Sequence, residues 1–228
     1  MTLTTEHSVL QNNPLLSRLD AQDYQQLRQH AEILSLNKGD TIYRQDQPAH
    51  HLGFVLSGAV KLCRLTQDGQ EKVFCILGSG DSFAESMLFA AQPVHPCTAQ
   101  AVENAEIMLF PLAAFRHAVE NNPELALALL NLLAEMESYS LASLEILSFK
   151  KSIHRVVRYL LSQALRTCQQ CDAVQFELPG TKRLIASQLS IQPETLSRIL
   201  NQLEREGLLI LEGRRICILD LDALVRHD

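Results

Sequence analysis

The chain has 228 residues, 46% of them apolar and 20% charged. These values exclude a disordered chain and a collagen-like repeat, and the length fits one large domain or two smaller ones. The net charge of −6 argues against a polyanionic partner until it is divided: residues 1–149 hold 8 Lys/Arg against 17 Asp/Glu, and residues 150–228 hold 12 against 9. Any contact with nucleic acid is therefore expected in the last third.

The opening MTLTTEHSVLQNN has neither a basic segment nor an apolar run, so no secretory signal is expected. No uninterrupted apolar run reaches the ~18 residues of a membrane span, and no membrane partner is expected. Six cysteines in a chain of this length predict a cytoplasmic protein with thiols rather than a disulfide scaffold.

Six of the nine glycines fall between 39 and 80. There the apolar runs ILSL, DTIYR, HLGFVL, AVKLCRL and EKVFCIL alternate with turn residues, as short strands do. Asp68-Gly69 marks a hairpin, because a tight turn needs positive φ. CTAQAV and AEIMLF add two strands, and the whole predicts an antiparallel β-barrel or sandwich. Cys63, Cys75 and Cys217 lie in apolar strands and are expected to act as small core residues.

Pro111 opens a short helical segment and Pro123 a longer one. In the longer one Leu125, Leu129, Leu132, Met136, Tyr139, Leu144 and Leu147 recur at spacings of mostly three and four, which suits a partner helix in a dimer. A second row, Leu127, Leu130 and Leu133, is expected to pack on the helix's own domain. From Lys150 come a helix, a break at Cys168-Gln169-Gln170-Cys171, a strand-like VQFELP, two short helices and a hairpin around Gly213. That order predicts a winged helix-turn-helix. The expected division is a sensor over 1–122, a dimerisation helix over 123–149 and a DNA-binding domain over 150–228, in an α+β fold.

Residues 181–211 carry the strongest signal. Thr181 is placed to cap the first helix, and Pro193 fits the first turn of the second. Leu196, Ile199, Leu200 and Leu203 form the inward stripe, leaving Glu194, Ser197, Arg198 and Asn201 on the opposite face. Glu can accept from cytosine, Arg can bond guanine twice, and Ser suits base or phosphate. On any solvated helix, however, Glu194 and Arg198 could simply form an i,i+4 pair worth about 0.2–0.5 kcal/mol.

Residues 181–219 resemble the DNA-binding domain of the Crp/Fnr superfamily of bacterial transcription regulators. The stretch from Ile42 to Leu77 is similar to that family's cyclic-nucleotide-binding-like β-roll. Glu194-Thr195-Leu196-Ser197-Arg198 matches the E-x-x-S-R pattern of the Fnr-like branch. The resemblance implies a homodimer on double-stranded DNA with RNA polymerase as a further partner, and half-sites like TTGAT in the arrangement TTGAT-N4-ATCAA. The DNA-contacting set it implies is Thr181, Lys182, Gln192, Glu194, Thr195, Ser197, Arg198 and Arg214.

The family's cyclic-phosphate cassette aligns with residues 80–101. Glu85 is kept, but Ala84 replaces Gly, and His95-Pro96 replaces the Arg-Ser pair, so no cAMP binding is expected. No N-terminal cysteine group precedes Cys63, so no iron–sulfur cluster is expected either. Phe83-Ala84-Glu85, His154-Arg155-Val156-Val157-Arg158 and Leu189-Ser190-Ile191-Gln192-Pro193 are shared with Dnr-type regulators of denitrification, which sense nitric oxide through haem. That likeness implies haem b in an apolar pocket that the β-roll and the long helix could form between them, with Ala84, Glu85, His95 and Pro96 as the degenerate effector cassette. His7, His50, His51 and His95 are the loop-placed candidate ligands, none singled out by sequence; Gln188 stands where some Dnr-like relatives have His. Two alternatives stay open: a regulator with a thiol sensor at Cys168 and Cys171 or with no small effector, and a cupin-like metalloenzyme.

Overall fold

A computed structural model describes residues 13–66, 69, 71–167 and 174–226. His7, Asp68, Cys168 and Cys171 lie outside the described residues. Contacts group the chain into two units, one ending at Ser138 and the other beginning at Tyr139 and taking in Gly69–Val73.

The N-terminal strands are Glu32–Leu36 (β1), Thr41–Tyr43 (β2), His51–Ser57 (β3), Val60–Leu65 (β4), Glu71–Leu77 (β5), Ser82–Phe83 (β6), Thr98–Ala101 (β7) and Ala105–Pro111 (β8). They form two four-stranded sheets, ordered β1-β8-β3-β6 and β2-β7-β4-β5, which make the β-roll. In β3 and β8 the side chains alternate between two cores. Val55, Ile107 and Leu109 join Val60, Phe83, Ala99 and Ala101 in one cluster. Leu52, Phe54, Met108 and Phe110 join Leu15, Leu27, Phe115, Leu125 and Leu129 in the other. Both faces of β3 are buried, which is why HLGFVL reads as an unbroken apolar run. Gly53 allows the close pairing of β3 with β6, since a Cβ there would lie 2.0 Å from the Phe83 ring.

Ala21–Arg28 (α1) and Leu112–Asn121 (α2) belong to this part, and Pro123–Ser148 (α3) begins in it and continues past Ser138 into the second unit. Asp20 caps α1 by accepting from the Asp23 N–H at 2.7 Å, and Asn122 accepts from the Leu125 N–H at 3.0 Å at the start of α3.

The two apolar rows of α3 need a correction. Leu125 and Leu129, expected at a dimer seam, are 0% and 4% exposed and packed in the chain's own core, with Leu132 partly buried against it. Leu127 and Leu130, expected to pack internally, are 60% and 64% exposed. Further along, Met136 and Leu144 of the expected seam are exposed, while Tyr139 and Leu147 are half-buried. By length and composition α3 could cross a bilayer, but its apolar residues divide between a face buried in the β-roll and an exposed one.

The second unit holds Ser152–Thr167 (α4), Val174–Glu177 (β9), Lys182–Gln188 (α5), Pro193–Arg205 (α6), Leu209–Glu212 (β10), Arg215–Ile218 (β11) and Leu221–Val225 (α7). The predicted hairpin is part of a three-stranded sheet, because β9 pairs with β11 to give the order β10-β11-β9. Val156, Val157 and Leu160 of α4, Ile185 and Leu189 around α5, the inner stripe of α6, and Ile216 and Ile218 of β11 are all at most 5% exposed.

Candidate nucleic-acid interface

The reading element is assembled by local rules. Thr181 Oγ1 accepts from the Leu184 N–H at 3.4 Å, capping α5, and Pro193 is the first residue of α6. Leu196, Ile199, Leu200 and Leu203 are 0–5% exposed. Burying that stripe fixes the rotation of α6 and turns the opposite face outward.

On that outward face Pro193, Glu194, Ser197, Arg198, Asn201 and Arg205 lie together around one shallow, open depression. Glu194 and Arg198 are exposed, and among the described residues no ion pair joins them. Both side chains lie on the solvent-facing side of α6. Arg205 was missed by sequence reasoning. It stands seven residues beyond Arg198, two helical turns along the same face, and that spacing was the available signal.

The remaining predicted contacts sit around α6. Gln192 is exposed and precedes it, Thr195 is half-buried within its first turn, and Lys182 is half-buried at the start of α5. Arg214 lies in the turn between β10 and β11, where its Nε donates to the Leu178 carbonyl at 3.1 Å and pairs with Glu177 at 3.3 Å. Gln188 donates to the Tyr139 hydroxyl at 3.2 Å, so Tyr139, expected at a dimer seam, has its hydroxyl engaged with α5.

The degenerate cassette in the β-roll is tightly closed. Ala84 takes φ +71°, the left-handed region where a glycine would be unstrained. Glu85 is 3% exposed and one carboxyl oxygen has no partner among the described residues. Burial pushes that carboxyl above its ordinary range. His95 is 4% exposed and stacks on Tyr43 at 3.5 Å and 8°; burial, with a smaller contribution from His50, lowers its pKa to about 4. It is neutral at pH 7 and supplies no charge for a phosphate. Pro96 contributes only its carbonyl, which accepts from Arg64 Nε at 2.7 Å.

Of the other candidate haem ligands, His50 is exposed and His51 half-buried at the start of β3. Burial raises the Cys75 thiol to about 12 and Cys97 above its usual value, so both stay protonated and weakly nucleophilic. Among the described residues no three His, Cys, Asp or Glu side chains are grouped to hold a metal, which removes the ligand cluster that a cupin-like site requires.

Residues 33–122 match the cyclic nucleotide-binding domain family, and residues 154–227 match the Crp-like helix-turn-helix domain family. The nitrogen fixation regulation protein FixK of Azorhizobium caulinodans is 32% identical over 199 residues, spanning 84% of this chain and 77% of its own. A CRP-like cAMP-activated global transcriptional regulator of Mycobacterium tuberculosis is 27% identical, spanning 88% and 90%. Among solved structures, FixK2 of Bradyrhizobium japonicum is similar at a TM-score of 0.74 and 27% identity over 87% of this chain and 97% of that one. DNR of Pseudomonas aeruginosa is similar at a TM-score of 0.53 and 38% identity over 100% of both.

Proposed function

Because the chain belongs to the Crp/Fnr family of DNA-binding transcription regulators, we propose that it acts as a cytoplasmic homodimer on an inverted repeat resembling TTGAT-N4-ATCAA. The observation that carries this reading is the outward face of α6, where Glu194, Ser197 and Arg198 lie side by side on one open surface without pairing among themselves. Two such helices on a dimer would enter successive major grooves ~34 Å apart. Arg198 would take guanine O6 and N7, Glu194 would accept from cytosine N4, and Ser197 would bond a base or phosphate. RNA polymerase is the further partner in this reading.

The dimer seam in this proposal is the exposed face of α3. Leu127, Leu130, Ala134, Leu141 and Leu144 follow the three-four alternation of a coiled coil, with Glu137 at the intervening position. Replacing both Leu141 and Leu144 with Glu is expected to give a monomer by sedimentation and to abolish binding to the full repeat.

For the effector, we propose nitric oxide sensed through haem b, controlling denitrification or anaerobic nitrogen-oxide genes. The support is the Dnr-type resemblance and the likeness to DNR at 38% identity. A closed cassette in which a neutral His95 stands where the family has Arg also speaks against a cyclic nucleotide. Of the described candidates, His95 is buried and stacked on Tyr43, which leaves His50 and His51 as the histidines that could reach an iron. When bound, haem would supply an iron position for nitric oxide.

The test is operator binding to TTGAT-N4-ATCAA with and without haem and nitric oxide. Specific binding to the repeat, a Soret band saturating near one haem per subunit and a nitric-oxide-dependent affinity are expected. Operator binding without any haem uptake would reject the effector reading and leave the DNA reading standing. No preference for the repeat over unrelated DNA would reject the operator.

A further inference from the structure

One guanidinium in the second unit joins three backbone carbonyls from two places that sequence reasoning treats separately. Arg155, in the first turn of α4, donates from Nε to the Phe149 carbonyl at 2.7 Å. Its Nη1 donates to the carbonyls of Leu189 and Ser190, both at 3.2 Å. Phe149 follows the last residue of α3, and Leu189 and Ser190 form the turn between α5 and α6. Ser190 holds φ +54°, a conformation an L residue adopts with strain. The carbonyls at the end of α5 lack helical partners, and a fixed cation there satisfies them.

The other end of the link is also held. The Phe149 ring lies under the Arg158 guanidinium at 5.7 Å and edge-on to His154 at 6.0 Å. The residue where the chain leaves α3 is thus fixed by its ring to α4, and by its carbonyl to the cation that also binds the reader's turn. Lysine cannot replace this arrangement, because an ammonium lacks the planar fork that reaches both carbonyl groups from one side chain.

We propose that Arg155 is a positioning residue for operator reading, which fixes the direction of α6 relative to the C-terminal half of α3. The proposal rests on the dimeric reading of an inverted repeat given above. In a dimer joined through α3, the direction of α6 sets the distance and rotation between the two reading helices. The spacing of half-sites is then read as strictly as the bases. Arg155 touches no base and makes no contribution to preference within a half-site.

The test uses the full-length protein on duplexes carrying TTGAT-N4-ATCAA, the same repeat with one base pair added or removed, and a single TTGAT half-site. One base pair moves a half-site by about 3.4 Å and turns it by about a tenth of a helical turn. The wild type is expected to bind the altered spacings much more weakly than N4. In Arg155→Lys that penalty shrinks at least about tenfold, equal to about 1.4 kcal/mol, while the ranking of half-site base variants is unchanged. Arg155→Gln, which removes the charge as well as the fork, is the second variant and should shrink the penalty at least as much. Equal loss on every duplex with the spacing penalty intact would show a merely structural role and overturn the proposal. The same conclusion follows if neither substitution changes anything. Should the wild type bind all spacings alike, the inverted-repeat reading fails first, and the role of Arg155 falls with it.

Discussion

Replacing Arg205 with Gln removes one positive charge from the outward face of α6 without touching the stripe that packs the helix. Arg205 is exposed, two turns beyond Arg198 and without an ion pair among the described residues. It therefore lies far from the N-terminal positions that read bases, where a phosphate contact is the chemistry an arginine offers. Each phosphate neutralised contributes about 0.9 to the slope of log affinity against log salt. A dimer carries two Arg205 side chains, so the variant's slope is expected to be shallower by about 1.8. Between 50 and 200 mM salt the wild type should then lose about twelvefold more affinity than Arg205→Gln. Fluorescence anisotropy with the TTGAT-N4-ATCAA duplex and its single-base variants, titrated at both salts, measures slope and preference together. Arg198→Ala provides the contrast: it should cost about 1–3 kcal/mol of discrimination at the guanine of each half-site. An unchanged slope in Arg205→Gln, or an altered ranking of base variants, would refute the assignment of Arg205 to phosphate.

Further outcomes follow from the closed cassette. Ala84→Gly should stabilise the protein by about 0.5–1 kcal/mol in thermal unfolding, since a left-handed L residue costs about 1–2 kcal/mol and glycine returns part of that as chain entropy. The same variant should still bind no cAMP in equilibrium dialysis, because His95 and Pro96 are unchanged. The folded His95 titrates near 4, below its unfolded value, so its contribution to stability is complete above about pH 6.5 and is lost as the pH falls towards 4. His95→Phe keeps a ring on Tyr43 and should flatten the fall of the melting temperature over that window; an identical pH profile would reject burial of a neutral imidazole. Gly53→Ala should destabilise by about 1–3 kcal/mol, because its Cβ would overlap the Phe83 ring.

The reader was legible in the sequence for a physical reason. In α6 a single apolar stripe stands against polar residues, so Leu196, Ile199, Leu200 and Leu203 fix the rotation and the outward set follows. The helix α3 gave no such contrast. Its two leucine rows are equally apolar, and periodicity reports that faces exist without saying which one meets the β-roll. Only packing of Leu125 and Leu129 against Phe110, Phe115 and their neighbours decides it. The helix α1 was invisible because AQDYQQLR offers little apolar pattern, with Leu27 its single buried residue. Strand β6 has two residues, too few to carry any period. In the cassette, the loss of the Arg-Ser pair was readable, whereas the stacking of His95 on Tyr43 joins residues 52 positions apart and depends on the roll closing. The three carbonyls gathered by Arg155 were equally hidden, since backbone acceptors leave no trace in side-chain identity.

Strands β3 and β8 form a wall with a different core on each side. A slip of one residue in their pairing would send Phe54 and Met108 into the roll and Val55 and Ile107 towards the helices, disrupting both cores at once. The register is therefore held from two sides, and the wall answers as one body. Val55 and Ile107 inside the roll share their backbone with Leu52, Phe54 and Phe110, which join Leu125 and Leu129 in the other core. The roll's interior and the first turns of α3 are thus separated by the thickness of a single sheet.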